Sequence, residues 1–198
     1  MKWRTLFLFL FAGTANSANE NDGEWLTVHL SQGPVRGRKG STGGYYEFYN
    51  IPYATVPKGQ DRFKAPLPPP TWLTTFDAID EGIICPQKDQ GMLPTSLKQK
   101  EECLIVNVFI PDTDEKNLPV VVYFPGGAFQ GSYGDLVRYT ALVKSKKLIP
   151  VTFNYRLGIH GFLCLGTEGA PGNAGMKDQI ALLRWINKNI ASFGTRMM

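Results

Sequence analysis

Pro119 to Phe124 reads P-V-V-V-Y-F and runs directly into Pro125-Gly126-Gly127-Ala128-Phe129, then Gln130-Gly131. A continuous apolar run of this kind fits a strand buried on both faces of a parallel sheet. Glycines placed just past such a strand let backbone N–H groups point into a crevice with no side chain in the way. In open α/β sheets ligands bind beyond the carboxyl ends of the strands. Taken alone, a plain tight turn explains the same glycines.

The neighbouring segments extend the pattern. Leu104 to Ile110 (LIVNVFI) and Leu148 to Asn154 (LIPVTFN) are two further apolar runs. Asp135 to Lys146 has helical spacing. In Ala174 to Ser192, Met176, Ile180, Leu183, Ile186 and Ile190 recur every three or four residues and predict an amphipathic helix. Strands alternating with helices argue an α/β fold with a mostly parallel sheet. Upstream, Trp25 to Arg36 alternates around Val28, Leu30 and Val35 and predicts an antiparallel hairpin turning at Gln32-Gly33-Pro34, followed by a short strand at Tyr45 to Tyr49. The prolines between Ile51 and Trp72 exclude helix and central strand there.

Composition bounds the function. The chain has 198 residues, with 43% hydrophobic and 19% charged, which suits a globular core. Its net charge is +4, or +2 without Lys2 and Arg4. That is too little for a nucleic-acid footprint, so no nucleic-acid partner is expected. Lys2 and Arg4, the apolar Thr5 to Ala12, and the small residues Ala15, Ser17 and Ala18 read as a signal peptide over 1–18, followed by a polar leader at 19–24. The apolar run is too short to span a bilayer, and no later segment is a candidate. Secretion to the extracellular space is therefore expected. The histidines and cysteines lack metal-ligand spacing, and no phosphate-binding G-K-S/T loop occurs, so no metal or cofactor is expected. The three cysteines allow one bond and one thiol left over, or three free thiols. Cys85 and Cys103 flank a polar, loop-like stretch. A bond closing it would contribute about 3 kcal/mol. Cys164, in the apolar GFLCLG, reads as a free, buried small hydrophobe.

Four motifs in order carry a family resemblance. Glu101-Glu102-Cys103-Leu104-Ile105-Val106-Asn107-Val108 resembles the E-D-C-L-x-L-N-V signature of type B carboxylesterases, the cholinesterase-like α/β-hydrolases. Asn154-Tyr155-Arg156-Leu157-Gly158 with Gly161-Phe162-Leu163 is similar to N-Y-R-L-G-x-x-G-F-L. Pro171 to Gln179 is similar to P-G-N-x-G-L-x-D-Q, and Ile51-Pro52-Tyr53-Ala54 and Arg62-Phe63 to I-P-Y-A and R-F. The resemblance covers about residues 25–194, the N-terminal part of that fold. It leaves 195–198 as a tail unlike the family.

The resemblance implies a disulfide between Cys85 and Cys103. It implies that the Gly127 and Ala128 amides form two-thirds of an oxyanion hole, and that Arg62–Glu101 and Arg156–Asp178 form buried structural ion pairs. Pro125 stands where the family has His or Tyr, Ala128 where Gly is frequent, Glu102 where Asp is usual, and Asn50 where Gly is usual. No serine in this sequence lies in the nucleophile-elbow pattern G-x-S-x-G. His29 and His160 do not match the family's catalytic position. The expectation is thus the N-terminal part of a secreted carboxylic-ester hydrolase, acting on small-molecule esters. It would carry the oxyanion loop without the Ser/acid/His triad and be inactive alone. The alternative is part of a non-catalytic cholinesterase-like adhesion protein, and a short secreted binding protein is a third reading.

Overall fold

The computed structural model describes residues 23–89, 93–136 and 139–194. The expected signal peptide, residues 19–22 of the polar leader and the 195–198 tail lie outside them.

In chain order the strands are β1 (Trp25–Leu30), β2 (Gly33–Lys39), β3 (Tyr45–Pro52), β4 (Phe76–Asp77), β5 (Ile83–Ile84), β6 (Lys98–Gln99), β7 (Ile105–Pro111), β8 (Val120–Tyr123), β9 (Ile149–Phe153), β10 (Cys164–Thr167) and β11 (Ala170–Pro171). The helices are α1 (Thr140–Lys144), α2 (Gly158–Phe162) and α3 (Ala174–Asn189). One seven-stranded sheet runs β1-β2-β3-β7-β9-β8, with β4 paired to β2.

The hairpin forms as expected, with Val28 opposite Val35, but its turn is Ser31-Gln32 and β2 begins at Gly33. A side chain at Gly33 would run into the Trp72 carbonyl, 2.3 Å from the Cβ position, which fixes glycine there. The sheet is mixed rather than mostly parallel. β1, β2, β3, β7 and β9 pair antiparallel in succession, and only β8–β9 and the short β2–β4 contact are parallel. An apolar run reports burial on both faces, not strand direction, and β7 and β9 are buried in either orientation. β8 is less buried than its V-V-V-Y suggests, because it is the last strand in the described sheet and Val121 is exposed.

β3 is also longer than expected. It continues through an irregularity between Phe48 and Ile51, where Asn50 takes a φ of 61°, and ends with Pro52 opposite Ile105. The short polar residue tolerates the left-handed backbone. Pro52 sits at the strand's last position, where its missing N–H is least costly. The 135–146 segment holds one 3-10 turn (Gly134–Leu136) and the five-residue α1 rather than a continuous helix.

α3 starts at Asn173, whose φ of 58° is left-handed, and continues as a 3-10 turn over Ile190–Phe193 up to Gly194. Only part of the spaced set turns inward: Ile190 is buried and Ile186 packs partly against the core. Asp178, Leu182, Trp185 and Asn189 are buried, whereas Met176, Ile180 and Leu183 are exposed. The helix is apolar on two sides. The polar partners Gln32 and Arg156 draw the Trp185 and Asp178 side inward. The Trp185 indole N–H donates to Gln32 Oε1, and Gln32 Nε2 donates to the Pro52 and Pro70 carbonyls at 2.8 and 2.9 Å. Phe193 then packs edge-on against Phe48, with ring centroids 5.3 Å apart, joining the helix end to the sheet core.

The contrast between two adjacent leucines is testable. Leu182 is fully buried and Leu183 is 48% exposed. Leu182→Ala should lower stability by about 2–5 kcal/mol, and Leu183→Ala by less than about 1 kcal/mol, in urea denaturation.

Candidate active site: the glycine loop and its support

β8 delivers the chain to Pro125, and the loop Gly126–Gly131 lies at its carboxyl end. Three consecutive residues have positive φ: Gly127 (140°), Ala128 (53°) and Phe129 (62°). Gly127 is obligatory, since a Cβ there would stand 1.9 Å from the Gly131 carbonyl oxygen. Gln130 N and Gly131 N both donate to the Gly127 carbonyl, at 2.9 and 3.3 Å, and close the turn. The amides of Gly126, Gly127, Ala128 and Phe129 find no acceptor among the described residues, and all four residues are exposed. The loop therefore presents a row of free donors beyond the end of a sheet strand.

The segment Asn154–Gly158 underlies this loop. Asn154 Oδ1 accepts from Gly134 N (2.8 Å), and its Nδ2 donates to the Ile83 carbonyl (2.7 Å). The Tyr155 hydroxyl donates to the Pro125 carbonyl at 3.0 Å. Gly158 N donates to the Phe129 carbonyl at 2.7 Å. Arg156 anchors the segment from beneath. Its Nε and Nη2 bind Asp178 bidentately at 2.8 and 2.7 Å, and its backbone N–H adds a third bond to that carboxylate at 3.1 Å. Nη1 and Nη2 also donate to the Arg62 and Lys64 carbonyls, each at 2.9 Å. The two side chains are 2% and 0% exposed. Burial raises the Asp178 carboxyl above its ordinary value, against the opposing hydrogen bonds and charge of Arg156.

The other sequence-derived positions fall as follows. Cys85 and Cys103 are joined in a disulfide. Gln87, two residues on, reaches the glycine loop, donating from Nε2 to the Ser132 carbonyl at 2.9 Å. Arg62 and Glu101 do pair, at 3.2 Å, but their side chains are 41% and 36% exposed, so this pair is not buried. It lies at the surface beside the 3-10 turn Gly59–Asp61, and what enters the interior is the Arg62 carbonyl. Cys164 is free but exposed rather than buried. Its apolar run forms β10 of a two-stranded ribbon with β11 that stands off the core. His29 is exposed and His160 half-buried. No group of His, Cys, Asp and Glu among the described residues is arranged to hold a metal ion, and no helix there is long and apolar enough to cross a membrane. Gln87 carried no signal in the sequence. Tyr155 lay inside a recognised motif, but nothing in the motif says where its hydroxyl points.

The described geometry coincides with a family assignment. The model of the carboxylesterase family matches residues 24–196. The chain belongs to the carboxylesterase family. It is 46% identical over 164 residues to the para-nitrobenzyl esterase of Bacillus subtilis, spanning 79% of this chain and 34% of that one. It is 36% identical over 202 residues to the juvenile hormone esterase of Heliothis virescens, spanning 96% and 36%. Among solved structures, a para-nitrobenzyl esterase superposes with a TM-score of 0.79 at 42% identity, over 85% of this chain and 36% of that chain. The juvenile hormone esterase of Manduca sexta gives 0.76 at 37% identity, over 87% and 34%. These neighbours are α/β-hydrolases, and this carboxylesterase-family chain spans about a third of the length of the relatives it matches.

Two contrasts follow from the geometry. Asp178→Ala strands a buried guanidinium and should remove about 3–5 kcal/mol of stability. Glu101→Gln breaks only a half-exposed pair and should cost less than about 1 kcal/mol. Chemical denaturation reads both. Gly127→Ala should distort the loop at a cost of at least about 1–3 kcal/mol, given its φ and the clash. Gly126→Ala, with nothing within 4 Å, should be near neutral.

Proposed function

We propose that this chain is the N-terminal part of a secreted carboxylic-ester hydrolase, and that it supplies two amides of the oxyanion hole, those of Gly127 and Ala128. The observation that carries this reading is the loop itself. Its backbone is held in three successive left-handed residues, and its N–H groups are left free at the carboxyl end of a sheet strand. Preorganised donors of this kind stabilise the oxyanion of an acyl-transfer transition state, each worth about 10²–10³ in rate. In the reaction a serine attacks the ester carbonyl and a histidine takes its proton. The two amides hold the oxygen that becomes negative, the histidine gives its proton to the departing alcohol, and water then hydrolyses the acyl-serine to release the acid.

This sequence offers no serine in G-x-S-x-G, and neither His29 nor His160 lies in the segments that support the loop. On this reading other parts of the esterase supply the nucleophile, acid and base, and the chain alone hydrolyses no ester. The division into signal peptide (1–18), leader (19–24), esterase portion (25–194) and tail (195–198) belongs to this proposal. The disulfide supports an oxidising compartment and hence secretion. The substrate class is a small-molecule ester.

The test has two parts. The downstream transcript should encode G-x-S-x-G, and the protein it yields should hydrolyse p-nitrophenyl acetate. The 198-residue chain should show no turnover above an inert-protein control. A transcript with the serine replaced, or organophosphate labelling of the short chain at one serine, overturns the reading.

A further inference from the structure

We propose that Tyr155 is a positioning residue for the glycine loop: its hydroxyl, bound to the Pro125 carbonyl, holds the Gly127 and Ala128 amides in their donor geometry. This deepens the functional reading above and rests on it. Ala128 and Phe129 are non-glycine residues in left-handed backbone. Such conformations persist only where the surroundings over-determine them. Within the loop, only the two bonds to the Gly127 carbonyl do so. The 154–158 segment grips both ends of the loop: the Tyr155 hydroxyl donates to the Pro125 carbonyl at 3.0 Å, and Gly158 N donates to the Phe129 carbonyl at 2.7 Å.

Tyr155 is suited to this role because it cannot move. It is buried, its ring stacks near Phe153 with centroids 5.9 Å apart, and it precedes Arg156, whose backbone N–H is fixed on Asp178. Burial raises the phenol above its ordinary range, so it stays a protonated donor. Without the hydroxyl, the Pro125 carbonyl loses its hydrogen bond and the loop entrance is left with the edge-on packing of Phe124 against Phe153. A displacement of the amides on the order of 1 Å is enough to lower a rate about a hundredfold. Tyr155 touches no reacting atom. Its effect on chemistry passes entirely through the two amides.

Tyr155→Phe deletes only the oxygen. In the esterase that carries this chain as its N-terminal part, the variant should lower kcat on p-nitrophenyl acetate by about ten- to a hundredfold with KM unchanged, because the amides act in the transition state. Val28→Ala, a buried change in β1 at the opposite end of the sheet, should lower stability and leave kcat at the wild-type value. The ¹⁵N–¹H resonances of Gly127 and Ala128 should shift in Tyr155→Phe and not in Val28→Ala. Wild-type kcat in Tyr155→Phe overturns the proposal. So do unchanged Gly127 and Ala128 resonances. A wild-type protein with no ester turnover refutes the functional reading instead. The resonances, read on the 198-residue chain, then decide the contact by themselves.

Discussion

The Arg156–Asp178 pair is the interaction on which the rest of this structure depends. Both charges are withdrawn from water, and the guanidinium is satisfied only because two separate segments converge on it, α3 through Asp178 and the 62–64 turn through two carbonyls, while the Arg156 backbone N–H donates to the same carboxylate. Burying a charge is costly unless every donor has a partner. The pair therefore demands this convergence and no other. Two glycines make it sterically possible. A Cβ at Gly161 or Gly175 would approach the Arg156 carbonyl to 2.1 or 2.4 Å. The pair is weak evidence for stability as such, since an apolar substitute of equal volume can do as well. Its consequence is placement: α3, the 154–158 segment and the 62–64 turn take one relative arrangement.

Placement then passes upward in a short chain of contacts. Arg156 fixes its neighbours Asn154, Tyr155 and Gly158, and each of these binds the backbone of the 125–134 region. The disulfide loop adds a second support, because Gln87 donates both to the Cys85 carbonyl and to that of Ser132. The exposed glycine loop thus lies on two independent anchors, one ionic and one covalent. A surface loop whose residues are all solvent-facing gets its definition from groups the solvent does not reach.

The sequence was legible where pattern and physics coincide. Apolar runs located β7, β8 and β9, the Val28/Val35 alternation located the hairpin, and four motifs identified the family. Strand direction was not legible, because β7 reads the same whether it runs with or against β9. Which side of α3 is most deeply buried was not legible for a related reason. Leu183 and Leu182 are identical in character, and only the polar neighbours Asp178 and Trp185, tied to Arg156 and Gln32, select the side that turns inward. Cys164 and the Arg62–Glu101 pair fail similarly: composition and motif give residue identity, whereas depth depends on how far a ribbon or turn stands from the core. Of the candidate site, the glycines were visible. The hydroxyl and amide groups beneath them were not, since a tyrosine in a motif carries no vector.

The order of strands in space has a consequence for the order of events in time. β8 leaves the ribosome before β9, yet β9 is its only neighbour in the described sheet. Until β9 is made, V-V-V-Y has no strand to pair with, while β1, β2, β3 and β7 can already form their antiparallel ladder. At synthesis rates of about 5–20 residues per second, the roughly 30 residues to the end of β9 leave this β-branched strand unpaired for about 1.5 to 6 seconds. An unpaired apolar strand is a template for association with other nascent chains. The parallel pairing that positions the glycine loop therefore also makes this stretch a vulnerable interval of translation. Its success depends on whatever shields residues 120–123 until residue 153 has emerged.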